Sequence, residues 1–178
     1  MRLNQAAESL TKWVAGPLAK KVPPKYRDTF YLRAFGLLKV PVLFFISPVV
    51  TELSNARCVV KVPLNRRTKN HLNSMYFGVL AAGADCAGGL IAMRLIQEEG
   101  DLVSLVFKDF QASFLKRAEG DVLFTCEDGE AIRKLVQKAT ESGERESMPV
   151  RVTATVPSKL GNEPVAEFTL TLSLKRKS

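Results

Sequence analysis

Asn70-His71-Leu72-Asn73-Ser74, followed by the run Met75 to Met93, decides how the rest of the chain is read. Nearly every residue from Met75 to Met93 is apolar or small, and Asp85 is the one charge among them. A run apolar on every side predicts a buried helix. It carries four glycines, Gly78, Gly83, Gly88 and Gly89. A mid-helix glycine costs about 1 kcal/mol relative to alanine, so close approach of another backbone or a ligand is expected to offset it. Plotted as a helix, Ser74, Gly78, Ala81, Ala82, Asp85, Gly88, Gly89 and Ala92 form a stripe of small residues. Phe77, Leu80, Ala84, Ala87, Ile91 and Leu95 form a second, greasier one. Burying an unpaired charge is expensive, so Asp85 has either a structural partner or a task. About 20 apolar residues suffice to span a bilayer, but the glycines and the central carboxylate argue against that reading. Asn73 or Ser74 is the expected N-cap.

The chain has 178 residues, 46% of them hydrophobic and 25% charged, which suits a globular domain with a sizeable core. Its net charge of +8 is unevenly spread. Residues 1 to 57 hold nine Lys/Arg against three Asp/Glu, whereas the remainder is nearly balanced. Cys58, Cys86 and Cys126 are scattered in strand-like or buried runs and read as reduced packing residues. With His71 the sole histidine, no metal-ligand spacing exists. The start of the chain lacks an uninterrupted apolar run with a small-residue cleavage site, so no secretory signal is expected and the protein reads as cytoplasmic.

Residues 1 to 47 read as a helical extension. Apolar positions at helical spacing predict one helix within residues 2 to 22, and Pro23-Pro24 breaks it. A second is expected from Tyr26 to Leu38, with Arg27, Arg33 and Lys39 outside, followed by a short apolar run to Ile46. Such helices can cover a core, rest on anionic lipid as a peripheral contact, or shape an acyl-chain entrance. No nucleic-acid motif is present, and the aromatics are spaced for helix packing rather than base stacking.

Residues 48 to 178 read as the main domain. Strands are expected at Cys58–Leu64, Leu102–Phe107, Phe110–Phe114, Val122–Cys126, Val150–Val156 and Ala166–Leu174. Asp128 is expected to cap a short helix from Gly129 to about Glu141. This order predicts an α+β fold, an antiparallel sheet curled around one helix.

Three stretches resemble the hotdog-fold thioesterase superfamily. They are Arg67 to Gly78, Ala81 to Asp85, and Ala112 to Asp121. The likeness covers roughly residues 48 to 175 and is nearest to the phenylacetate-pathway (PaaI-like) type, in a branch of largely unassigned function. In such enzymes a His-Gly-Gly opens the central helix, and an acidic residue follows seven positions after the second glycine. Gly78 and Asp85 keep that spacing, while Tyr76 and Phe77 replace the histidine and the first glycine. The resemblance implies hydrolysis of an acyl-CoA thioester, with no cofactor beyond the CoA thioester itself and a site shared by two protomers of a homodimer or a dimer of dimers.

On that footing Asp85 would activate water or attack the thioester carbonyl. The Gly78 N–H would face the developing oxyanion at the helix N-terminus. Asn70, Asn73, Ser74 and Tyr76 are candidate groups at the mouth of the site, and Lys116 and Arg117 are candidates for the CoA phosphates. Their alternative roles are loop bonding and a solvated strand end. No Gly-x-Ser-x-Gly elbow or phosphate loop occurs. The rival reading is an acyl-CoA or lipid-binding hotdog protein without turnover.

Overall fold

The computed structural model describes residues 22–100 and 102–177. The helix expected within residues 2 to 22 therefore lies, but for its last residue, outside the described residues. After a 3-10 turn at Pro24–Tyr26, α1 spans Arg27–Lys39 and α2 spans Pro41–Phe45. Val40 precedes a proline and is pushed out of the helical region, to φ −137° and ψ 78°, which turns the chain between them. The remaining elements are β1 (Val49–Leu53), β2 (Cys58–Val62), α3 (Phe77–Glu98), β3 (Val103–Phe114), β4 (Val122–Cys126), α4 (Gly129–Ser142), β5 (Glu146–Thr155), α5 (Pro157–Leu160) and β6 (Pro164–Arg176).

The strands form one antiparallel sheet in the order β1-β2-β4-β5-β6-β3, curled around α3. This is the hotdog arrangement. Alternation places Val150, Val152 and Ala154 of β5 and Ala166, Phe168, Leu170, Leu172 and Leu174 of β6 on the helix side, all buried. Helix and sheet pack closely at Gly83. A Cβ there would lie 2.3 Å from the ring of Phe124, which is itself fully buried. Glycine at this position lets the ring lie flat on the helix backbone, and that contact offsets its poor helix propensity. Cys58, Cys86 and Cys126 are free and buried, and burial pushes their thiols up, that of Cys126 to about 11. They are packing residues, protonated and unreactive.

The structure departs from the sequence reading in five places. α3 begins at Phe77, with Tyr76 as an N-cap that makes no side-chain bond, so neither Asn73 nor Ser74 caps it. The two expected strands after α3 are one twelve-residue strand with a bulge between Phe107 and Phe110. β1 adds a strand that the sequence pattern did not reveal. The Asp128 carboxylate accepts the Arg151 N–H at 2.7 Å instead of capping α4. Arg33 is not a free cation: its guanidinium donates to the Pro48 and Ser47 carbonyls at 2.9 and 3.1 Å, anchoring α1 to the start of β1.

The two edges of the sheet differ. At β1, the Val50 N–H donates to Thr29 Oγ1 of α1 at 2.9 Å, so the extension covers part of that edge. At the other end, among the described residues, β3 pairs only with β6, and its other side is unpaired along the length of the strand. Val106, Phe110, Phe114 and the following Leu115 are about half exposed along it. Natural sheets rarely leave a long apolar edge bare.

The Gly83–Phe124 contact predicts that Gly83→Ala destabilises the fold by about 1–3 kcal/mol despite its better helix propensity, because the methyl overpacks the ring. Phe124→Leu should relieve part of that cost. A double-mutant cycle by urea denaturation checks the coupling, and additive effects would refute it.

Candidate functional site

Residues 65 to 76 form the loop that opens α3, and buried hydrogen bonds hold it. The fully buried Thr68 hydroxyl donates to the Pro63 carbonyl at 2.7 Å and accepts the Asn65 N–H at 2.8 Å. The Tyr76 N–H donates to the Thr68 carbonyl, and the Met75 N–H to Ala118, which ties the loop to the turn after β3. Asn70 closes the tip: its Oδ1 accepts the Leu72 and Ser74 N–H groups, while its Nδ2 donates to Ser74 Oγ at 3.1 Å. Asn73 adopts φ 60°, a conformation asparagine tolerates, and its Oδ1 accepts from Lys69 Nζ at 2.8 Å. The polar atoms of Asn70, Asn73 and Ser74 are thus engaged within the loop itself, with Ser74 buried. Their geometry fixes where α3 starts.

That start has open donors. The Val79 and Leu80 N–H groups both donate to the Tyr76 carbonyl, whereas no hydrogen bond among the described residues engages the N–H of Phe77 or Gly78. First-turn amides aimed outward with the helix dipole behind them favour negative charge. The half-exposed Tyr76 ring leans over Gly78: a Cβ on Gly78 would lie 2.6 Å from Tyr76 Cε1. Tyr76 also contacts Phe77 at 4.7 Å between ring centroids, and Phe77 continues to Phe114 of β3 at 6.4 Å. Aromatic contacts thus join the mouth of the site to the open edge of the sheet.

Asp85 lies two helical turns further on, about 10 Å along the axis and on the same face as Gly78. This face is the uncovered one. Gly78, Ala81, Ala82 and Asp85 are only partly buried, in contrast with the enclosed Gly83, Ala84 and Ala87. The run is therefore not buried all round, as its composition suggested. Nor does the Asp85 carboxylate have a hydrogen bond or ion pair among the described residues, and burial alone pushes its pKa up to about 6. It lines a cavity of about 180 Å³ between α3, the first half of β3 and the two N-terminal helices. The other walls are apolar, among them Phe35, Leu43, Met93 and Phe107. A partnerless carboxylate of raised pKa at the rim of an apolar cavity has the environment of a general base.

Lys116 is paired with Glu163 at the surface, whereas Arg117 is exposed with no side-chain partner among the described residues. Both precede Ala118, whose carbonyl holds Met75, so they stand beside the loop that opens α3. Arg66 and Arg67 are exposed on that loop, and the Arg67 guanidinium sits 5.7 Å from the Phe45 ring centroid of α2. Sequence reading missed this pair and the cavity-lining residues of α1 and α2. The basic run Arg66-Arg67 was visible, but helix faces from different segments meet only in the fold.

Residues 30–174 match the model of a family described as a domain of unknown function, DUF4442. The chain belongs to the DUF4442 family. No curated protein matches it significantly. Among solved structures, this DUF4442 chain is similar to a probable thioesterase of unknown function from Pseudomonas aeruginosa, at 22% identity and a TM-score of 0.66, over 84% of this chain and 96% of that one. It is also similar to a protein of unknown function from Chlorobaculum tepidum TLS, at 14% identity and a TM-score of 0.74, over 86% and 97% of the two chains. A thioesterase from Haemophilus influenzae aligns at 14% identity and a TM-score of 0.59, over 82% and 90%. These likenesses establish the hotdog fold of the DUF4442 chain.

Asp85 carries a pH signature. Its folded-state pKa of about 6 lies above the ordinary 3.8, so the folded state holds the proton more tightly than the unfolded chain. Stability therefore falls as pH rises from about 4 to 6 and stays lowered above that. Asp85→Asn removes the charge, and should raise stability at pH 8 by up to about 3 kcal/mol while changing little below pH 4. Melting temperatures of both proteins at the two pH values check this. An equal loss of stability at both would mean that the carboxylate is structural.

Proposed function

We propose that this protein hydrolyses acyl thioesters, with acyl-CoA as the substrate class and Asp85 as the catalytic carboxylate. The observation that carries the reading is Asp85 itself: a half-buried carboxylate of raised pKa with no partner among the described residues, on the open face of the central helix and beside an apolar cavity. Asp85 takes a proton from water, and the water oxygen attacks the thioester carbonyl carbon. The oxyanion that forms accepts a hydrogen bond from the Gly78 N–H. The C–S bond then breaks, and the leaving thiolate regains a proton to give free thiol and carboxylate. Arg66, Arg67 and Arg117, around the loop that opens α3, suit the phosphates of CoA.

Gly78 and Asp85 of one chain are too far apart along the helix to act on a single carbonyl. A two-fold dimer, with α3 of each protomer antiparallel to the other, sets one Asp85 against the partner's Gly78. The bare β3 edge supplies a surface for such pairing. A homodimer belongs to this proposal, and with Tyr76 where the thioesterases that the sequence resembles carry a histidine, the proton transfer falls to Asp85. A second reading, acyl-CoA binding without turnover, is favoured by the Tyr76 ring that leans over Gly78.

Release of thiol from a panel of acyl-CoA esters tests the proposal. Asp85→Asn should lower turnover by about 100-fold or more with the fold intact and acyl-CoA still bound. For the wild type, kcat/KM should rise as pH passes through about 6, where the base loses its proton. Retention of acyl-CoA with no thiol released across the panel would favour the binding protein. Light scattering that shows only monomer at micromolar protein would sink the shared site.

A further inference from the structure

We propose that the cavity under the N-terminal helices is the pocket for the acyl tail, and that Gly89 and Met93 set its depth. The inference rests on the thioesterase reading and names what that site selects. Asp85, Gly89 and Met93 fall at i, i+4 and i+8 of α3, so they line one face of the helix over about 12 Å. All three line the cavity. Facing them are Phe35 of α1, Leu43 of α2 and Phe107 of β3. A tail whose carbonyl sits at Asp85 therefore runs along the helix, past Gly89 and toward Met93, under a cover supplied by residues 27 to 45.

Gly89 is the second observation. A Cβ at Gly83 would strike the Phe124 ring, so packing demands that glycine. A Cβ at Gly89 would stand 3.4 Å from Phe107 and 3.9 Å from Asp85 Oδ1, at ordinary contact distance. Nothing in the packing forbids alanine, and alanine is the better helix former. What the glycine does is keep the cavity open beside the carboxylate. The volume, about 180 Å³, holds about six methylenes if each takes close to the roughly 30 Å³ of a water molecule. The lining is apolar apart from Asp85, which excludes polar or charged acyl groups and suits a straight saturated chain of medium length.

The test uses the full chain and two sets of probes, saturated acyl-CoA esters from acetyl to palmitoyl and the matching non-hydrolysable S-alkyl-CoA thioethers. Thioether affinity, read by calorimetry, should rise about fourfold per methylene and level off at about six to eight carbons. Gly89→Ala should move that plateau, and the optimum of hydrolysis, one to two carbons shorter, with an unchanged or higher melting temperature. Met93→Ala should move both in the opposite direction. Wild-type hydrolysis with a flat length profile, or profiles that neither variant moves, would overturn the tail pocket and leave the thioesterase reading in place. Length-dependent thioether binding that both variants shift, with no ester hydrolysed, would uphold the pocket and remove turnover instead.

Discussion

The packing of the sheet on the central helix depends on a close approach at Gly83, where the Phe124 ring takes the space that a side chain would need. β4 is central in the sheet, flanked by β2 and β5. With its ring seated on the helix, the neighbouring strands can wrap far enough to enclose Ala84, Ala87 and Ile91. A bulkier residue at Gly83 would lift β4, and the strands hydrogen-bonded to it would have to follow. The helix is long and apolar enough to cross a membrane by composition. Here the curled sheet does the enclosing. The same composition thus serves two solvents, and what separates them is the glycine that admits an aromatic ring.

Wrapping on one side leaves α3 with two unlike faces. Toward the sheet the helix is fully packed. On the other side, α1, α2 and the start of β3 cover its second half, while Gly78, Ala81 and Ala82 remain partly open. Asp85 sits at the boundary between these halves. Full burial would hold the carboxyl neutral at all working pH, and full exposure would leave it at its ordinary strength. The intermediate position gives a pKa of about 6 from desolvation alone. The apolar residues of α1 and α2 thus line the same cavity as the half-buried Asp85 carboxylate.

Much of this was legible in the sequence because the signals were periodic. The alternation of Ala166, Phe168, Leu170, Leu172 and Leu174 specified a half-buried strand, and the run from Met75 to Met93 specified the central helix, though not its open face. The spacing of Gly78 and Asp85 carried the resemblance. Three features were not legible, each for a physical reason. β1 has only five residues and little alternation, and its Val50 N–H bonds to Thr29, which is remote in sequence. The start of α3 was misplaced because Asn70 and Ser74 bond to each other, and a capping side chain looks the same in sequence as a loop-closing one. The cavity was invisible because its walls come from three segments that meet only after folding.

Tyr76 and Phe77, which stand where the thioesterases that the sequence resembles carry His-Gly, have a structural role in these contacts. The two rings touch each other, and Phe77 reaches Phe114, which in turn contacts Phe168 of β6 at 6.1 Å. The first turn of α3 is thereby packed against the end of β3, the strand whose outer edge has no partner among the described residues. Phe77, Phe114 and Leu115 are each about half exposed, an apolar area that a lone protomer would present to water. In the proposed dimer this area lies next to the seam between protomers, where it would be covered. The aromatic pair would then trade the proton-handling capacity of a histidine for adhesion at the seam. In that arrangement the proposed acid–base step falls to Asp85, the half-buried carboxylate beside the cavity.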